Sequence, residues 1–183
     1  MARRPAATKA DTENKSPKAE LTPDRKAFLE HLRKINDTFY DQIRLADQKA
    51  AYVFTIMIAF MISSADGRGV FSFARYASGE PLVVAVSALL AIAFIVCLGS
   101  AILVVLPRKL PTSTSLFWGA WSKHRQALIE AHDSGDGEYL FREYLGNADN
   151  LAVIAMAKYR FVGLSFRALL VAVVMYALLL ATQ

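Results

Sequence analysis

Three charges stand within six residues of one another in "IRLADQKAAYVF", residues 43–54: Arg44, Asp47 and Lys49, at the threshold of an uncharged run that starts at Ala50. On a helix, Arg44 and Asp47 are three apart and can meet on one surface. Lys49 can lay its aliphatic stem on apolar surface and hold its ammonium in water. The trio can therefore set the depth at which a helix enters a bilayer, or couple a ligand signal to it. A second set lies further along the chain. Phe117, Trp118 and Trp121 have the flat faces on which a planar base stacks. Lys123, Arg125, Lys158 and Arg160 carry the charge that holds a phosphate. The opposing reading packs those aromatics against a helix or an interface and uses the basic residues as anchors. The candidates for ligand binding or signal coupling are Arg44, Asp47, Lys49, Trp118, Trp121, Lys158 and Arg160.

Catalytic and metal chemistry find little support. There is no Gly-x-Ser-x-Gly, Walker loop or Gly-x-Gly-x-x-Gly, and no pair of acids in an obvious cleft. His31, His124 and His132 have no ligand spacing with the single Cys97 or with acids. "DSGDGE", residues 133–138, lacks the alternating acids and closing Glu of a calcium loop and reads as a turn. The expectation is a protein that is not an enzyme and holds no metal or cofactor.

The elements that carry these residues follow from hydropathy. The chain is 55% hydrophobic, and its apolar residues are concentrated in runs. Residues 82–106 contain no charge, about 37 Å of helix against a bilayer core of about 30 Å. A shorter uncharged run covers 50–65, and a third covers 162–183, interrupted by Arg167 alone. A soluble bundle has no need of a charge-free run as long as the central one. The reading is an all-α integral membrane protein with three transmembrane helices. Arg167 either snorkels to the nearby end of its span or faces the bundle and pairs with Asp47 or a ligand.

Orientation follows from basic residues outside the spans. Residues 1–49 contain eleven Lys and Arg, residues 66–80 two, and residues 107–161 seven. The positive-inside rule places the N-terminus and the long second connection in the cytoplasm, with the C-terminus external. The excess charge then faces anionic lipid. A role in nucleic-acid binding is the weaker reading, because the basic residues are scattered and those beside spans are already explained.

Residues 1–21 have almost no apolar content and read as a disordered basic tail. At residue 22 a cytoplasmic helix begins, with Thr22 as N-cap, Pro23 at the first position and Asp24 in the first turn. An apolar stripe of Phe28, Leu32, Ile35, Phe39, Ile43, Ala46, Ala50, Val53 and Met57 keeps steps of three or four. It predicts one continuous helix over about 23–64, the cytoplasmic part (22–49) running into the first span (50–65). An external loop (66–80) and a second span (81–106) opened by Pro81 follow. Residues 107–161 form a small helical cytoplasmic region, and 162–181 the third span. Within that region "EYLFREYL" predicts a short helix ended by Gly146, with Asn147 or Asp149 capping the last long helix. In the first span Ala51, Thr55, Ala59 and Ser63 form a small-residue ridge suited to close helix packing.

"LADQKAAYVF", Pro107 with Arg108, "LFWG" at 116–119 and "EYLFREYL" followed by "IAMAKYRFVGLSFRALL" resemble, in order and spacing, the transmembrane effectors of bacterial Pycsar anti-phage systems (the PycTM type). The resemblance covers roughly residues 36–181. Trp118 stands where that family is expected to have Phe. The resemblance implies a bacterial inner-membrane effector working with a cytidylate or uridylate cyclase. It implies a ligand, cyclic CMP or cyclic UMP, whose sensing impairs the membrane and stops growth. It also marks Asp47 and Lys49 as part of a signature, though no family motif fixes a nucleotide-binding residue. The unequal spans, about 16, 25 and 20 residues, favour tilting, thinning or homo-oligomerisation on activation. The alternatives are an effector gated by another cyclic nucleotide, and a constitutive structural subunit or scaffold.

Overall fold

The computed structural model describes residues 22–77, 80–108 and 113–182. The proposed tail, 1–21, lies outside the described residues. Helix α1 spans Pro23–Ser63, 41 residues, about 60 Å of rod. Pro23 occupies its first turn and Asp24 complements the positive helix end. Thr22 stands at the N-cap in extended backbone, but its side chain makes no capping bond. The carbonyl of Thr22 accepts from the Lys26 amide at 3.0 Å instead.

The stripe holds from Leu32 to Met57, where Leu32, Ala46, Ala50, Val53 and Met57 are buried. Its beginning differs from expectation. Leu29 turns inward and Phe28 is 67% exposed, while Asn36 takes a buried place beside the half-buried Ile35. The inward row is thus Leu29, Leu32, Asn36, with the same steps of three and four and a polar residue in it.

Two short helices, α2 (Ala65–Gly69) and α3 (Phe73–Ala77), fold the first connection. Ser64 Oγ accepts from the Gly67 amide at 2.9 Å, starting α2 where α1 ends. An Arg75–Asp66 pair at 2.9 Å ties the two short helices together. Helix α4 spans Pro81–Val105. Its buried positions run Leu90, Phe94, Cys97, Ala101 and Val104, yet Leu82, Leu89, Ile92, Ile95 and Ile102 stand at least half exposed. A helix apolar on every face needs an apolar surrounding on the side that protein does not cover.

A 3₁₀ turn at Trp118–Ala120 leads into α5, Trp121–Ser134. Gly135, with φ of 72°, closes α5 in the left-handed conformation that glycine adopts without strain. Asp136 then caps α6, its carboxylate accepting from the Glu138 amide at 3.0 Å. The expected turn at 133–138 is therefore a helix-to-helix joint.

Helix α6 runs unbroken over Gly137–Ala181, 45 residues. This corrects the expected break at Gly146 and the capping role of Asn147 or Asp149. A glycine inside a helix costs about 1 kcal/mol, a modest penalty in a helix buried at Asn147, Ala148, Asn150 and Leu151 just beyond it. A Cβ on Gly146 would lie 3.4 Å from Thr114 Cγ2, an ordinary van der Waals contact, so this position faces the 113–117 segment without requiring glycine. Asn147 and Ala148 are buried instead of capping.

Helices α1, α4 and α6 are each long and apolar enough to cross a membrane, and α6 packs on both of the others. One core joins Met57, Leu90, Phe94, Ala172 and Leu179. A second joins Ala46, Ala50, Val104 and Val162 nearer the basic end. The result is an all-α bundle with no strand among the described residues. The ridge of Ala51, Thr55, Ala59 and Ser63 faces outward, so the chain's own packing does not use it.

Candidate functional site

Helices α1 and α6 lie side by side in the same direction, and polar contacts join them at a nearly constant offset. Asn36 meets Asn147, 111 residues away. Asp47 meets Lys158, also 111 away, and Ser64 meets Tyr176, 112 away. On each helix the first two positions are separated by eleven residues. Eleven residues is close to three full turns, so both contacts fall on one face. The polar residues form a seam down the α1–α6 interface.

The first of these layers, Asn36 with Asn147, is buried. Asn36 and Asn147 are each 3% exposed. Asn147 Nδ2 donates to Asn36 Oδ1 at 2.7 Å. Asn36 Nδ2 donates to the Leu32 carbonyl at 2.8 Å and across the interface to the Tyr144 carbonyl at 3.0 Å. Thr114 Oγ1, also buried, donates to Asn147 Oδ1 at 3.4 Å. The connection is further held by the Ser115 amide, which donates to the Glu143 carboxylate. His124 Nδ1 stands 3.9 Å from that carboxylate, and its Nε2 is 2.7 Å from Ser113 Oγ. One polar cluster thus joins α1, α6, α5 and the segment entering from α4.

Nearer the spans, the Lys158 ammonium donates to Asp47 Oδ1. The lysine side chain is 9% exposed and the aspartate 38%, so the cation is the more deeply buried partner. Tyr159 OH donates to Gln42 Oε1 at 2.6 Å. The Lys49 ammonium sits 5.5 Å from the centre of the Tyr159 ring, within cation–π range. At the opposite tip Arg25 pairs with Glu138. Beside that pair opens a cleft of about 310 Å³ that includes Phe28 and Phe141.

The structure brings together some of the sequence candidates and separates others. Asp47, Lys158 and Lys49 share one layer with Tyr159. Arg44 does not meet Asp47, which turns to Lys158; Arg44 is exposed and makes no ion pair among the described residues. Arg160 is also exposed. Trp118 and Trp121 belong to a different level. Their segment docks at Glu143 to Asn147 through Ser115 and Thr114, and Asn147 is eleven residues, about 16 Å, along α6 from Lys158. Trp118 is 87% exposed and Trp121 46%. Phe117, by contrast, folds back: a Cβ on Gly119 would lie 2.7 Å from Phe117 Cε1.

Asn36, Glu143, Gln42 and Tyr159 escape a reading of the sequence. The available signal for Asn36 is its place in an otherwise apolar inward row. Nothing local announces its partner 111 residues away.

Comparison with known proteins adds one finding. The PycTM family, described as Pycsar effector protein domain, matches residues 31–183. No curated protein and no solved structure matches the chain. The match takes in the seam from Asn36 onward, all three apolar helices bar the first turns of α1, and the aromatic connection. Spanning most of a chain built for a membrane, it assigns the molecule: it belongs to the PycTM family of Pycsar effector proteins and is a membrane effector of that defence system.

Proposed function

We propose that this effector senses a cyclic pyrimidine mononucleotide, cyclic CMP or cyclic UMP, and impairs the integrity of the inner membrane, so that the infected cell stops growing. A partner cytidylate or uridylate cyclase supplies the signal, and copies of the chain associate on activation. The Lys and Arg distribution supports a cytoplasmic location for the α5 end and the seam.

The observation that carries this reading is mechanical. Helices α1 and α6 each run without a break from the polar end into the apolar end, and the seam fixes their register. A ligand that binds one arrangement of the polar end more tightly than another must shift the spans as well. Trp118 and Trp121 offer exposed faces for a base. The ammonium of Lys158 is engaged by Asp47, so a phosphate would have to compete for it, loosening the layer nearest the spans.

The test is a titration of detergent-solubilised protein with each cyclic mononucleotide, following binding and particle size, together with dye leakage from liposomes. The expected result is binding of a cyclic pyrimidine nucleotide accompanied by a larger particle and leakage. Binding of a cyclic purine nucleotide alone would move the specificity. No binding and no leakage with any of them would leave a constitutive scaffold.

A further inference from the structure

Arg167 is the only charged residue in the three apolar segments, 50–65, 82–106 and 162–183. The packing of α4 against α6 fixes its depth. Cys97 Sγ donates to the Ser165 carbonyl at 3.4 Å, which brings Ser165 level with Cys97. Eight residues of α4, about 12 Å, separate Cys97 from Val105 at one end, and sixteen, about 24 Å, separate it from Pro81 at the other. Arg167 lies two residues beyond Ser165, away from the Lys158 end. It therefore sits near the middle of the bundle's apolar thickness, deeper than its sequence distance from Arg160 suggests.

The side chain is exposed and makes no hydrogen bond or ion pair among the described residues. It borders a shallow groove of about 270 Å³ shared with Ile92, Val96, Leu164 and Val171. Around it Phe166, Leu170 and Val171 also face outward. A bare guanidinium in hydrocarbon is strongly disfavoured. No Asp or Glu occurs in any of the three apolar segments, so a second copy brings no counter-charge to this depth. Beyond lipid phosphate reached by snorkelling, water and mobile anions are what remain to solvate it.

We infer that copies of the chain associate with Arg167 facing a shared water-filled passage, and that this ring of guanidinium groups makes the passage select anions over cations. The inference rests on the proposed membrane-impairing activity and specifies what that activity lets through. Rings of Arg or Lys favour anions because the fixed positive field raises the local anion concentration.

The experiment is a planar-bilayer recording of the full chain under a KCl gradient, with cyclic CMP and cyclic UMP added in turn. The wild-type protein is expected to favour chloride over potassium by about tenfold. Arg167→Lys should keep that preference, Arg167→Gln should bring the ratio near unity, and Arg167→Glu should reverse it. Conductance whose selectivity is the same in wild type, Arg167→Gln and Arg167→Glu overturns this inference and leaves the membrane-impairing activity standing. No conductance from wild type with either nucleotide overturns both. A second measurement does not depend on current. In a Cys97→Ser background, Arg167→Cys should be labelled by a membrane-impermeant anionic thiol reagent once nucleotide is added; a cysteine that stays unlabelled in a conducting protein places the side chain in lipid and overturns the passage.

Discussion

Lys158 of α6 donates to Asp47 of α1 across 111 residues of sequence, with the lysine nearly buried and the aspartate partly in solvent. The burial is unequal, so the two halves of the pair are not equivalent. Removing the aspartate strands a buried cation. Removing the lysine leaves a carboxylate that water can reach. This contact and the Asn36–Asn147 contact lie eleven residues apart on both helices, and together they fix how α1 and α6 sit against each other.

Asp47→Ala is expected to destabilise the protein by about 3 kcal/mol, the scale for orphaning one partner of a buried pair. Lys158→Met, which keeps the volume and leaves Asp47 to solvent, is expected to cost about 1 kcal/mol. Thermal unfolding in detergent should rank Asp47→Ala below Lys158→Met, with the double variant more stable than Asp47→Ala alone. Equal losses in the two single variants would mean the lysine finds solvent without its partner.

In the layer above, Asn36→Leu deprives Asn147 Nδ2 of its acceptor inside a buried interface and should cost about 2 kcal/mol. Asn36→Asp loses the same two donations to carbonyls and also sets a buried carboxylate against those oxygens, so it should cost more than Asn36→Leu. The double variant Asn36→Leu/Asn147→Leu should recover part of the single variant's loss, because the Asn–Asn contact is no longer half made, although buried Thr114 Oγ1 then loses its acceptor. Recovered stability with lost nucleotide response would separate the pair's part in register from its part in holding the fold.

Gly119→Ala places a methyl 2.7 Å from Phe117 Cε1, so the ring must move. The expected outcome is displacement of Phe117 and loosening of the connection, read as faster protease cleavage near residue 117 with the spans still inserted. Unchanged cleavage would show that the ring has another place to go.

Trp118 projects into solvent, and exposed side chains of this kind contribute within about 0.5 kcal/mol to stability. Trp118→Ala should therefore unfold at the wild-type temperature. If the face receives a base, the variant loses nucleotide binding by roughly tenfold or more, the scale of one stacking contact. Full retention of binding would move the ligand to another surface, with the cleft beside Phe28 the next to test.

Lys49→Ala leaves the Tyr159 ring without its cation but should still insert, since the uncharged run of the first span is untouched. Loss of nucleotide-dependent growth arrest with normal membrane levels would make this layer a coupling element. Retained arrest would reduce Lys49 to an anchor of helix depth.

The sequence by itself determined the elements whose causes are local. Charge-free runs and their lengths fixed the three apolar helices, because the length needed to cross a bilayer and the cost of charge within it are properties of single segments. Pro23, Asp24 and the unbroken stripe fixed the start and continuity of α1, and the short motifs around the spans carried the family. The tertiary structure decided what depends on which helix lies against which. It sent Asp47 to Lys158 where spacing alone offered Arg44. It carried α6 straight through Gly146, because a glycine's helical penalty is modest and Asn147, Ala148, Asn150 and Leu151 just beyond it are buried in the same helix. It set Arg167 near mid-depth, since α4 lies against α6 with Cys97 level with Ser165. Each of these is a choice among distant partners. Local pattern fixes which face of a helix is offered, and only packing fixes what that face meets.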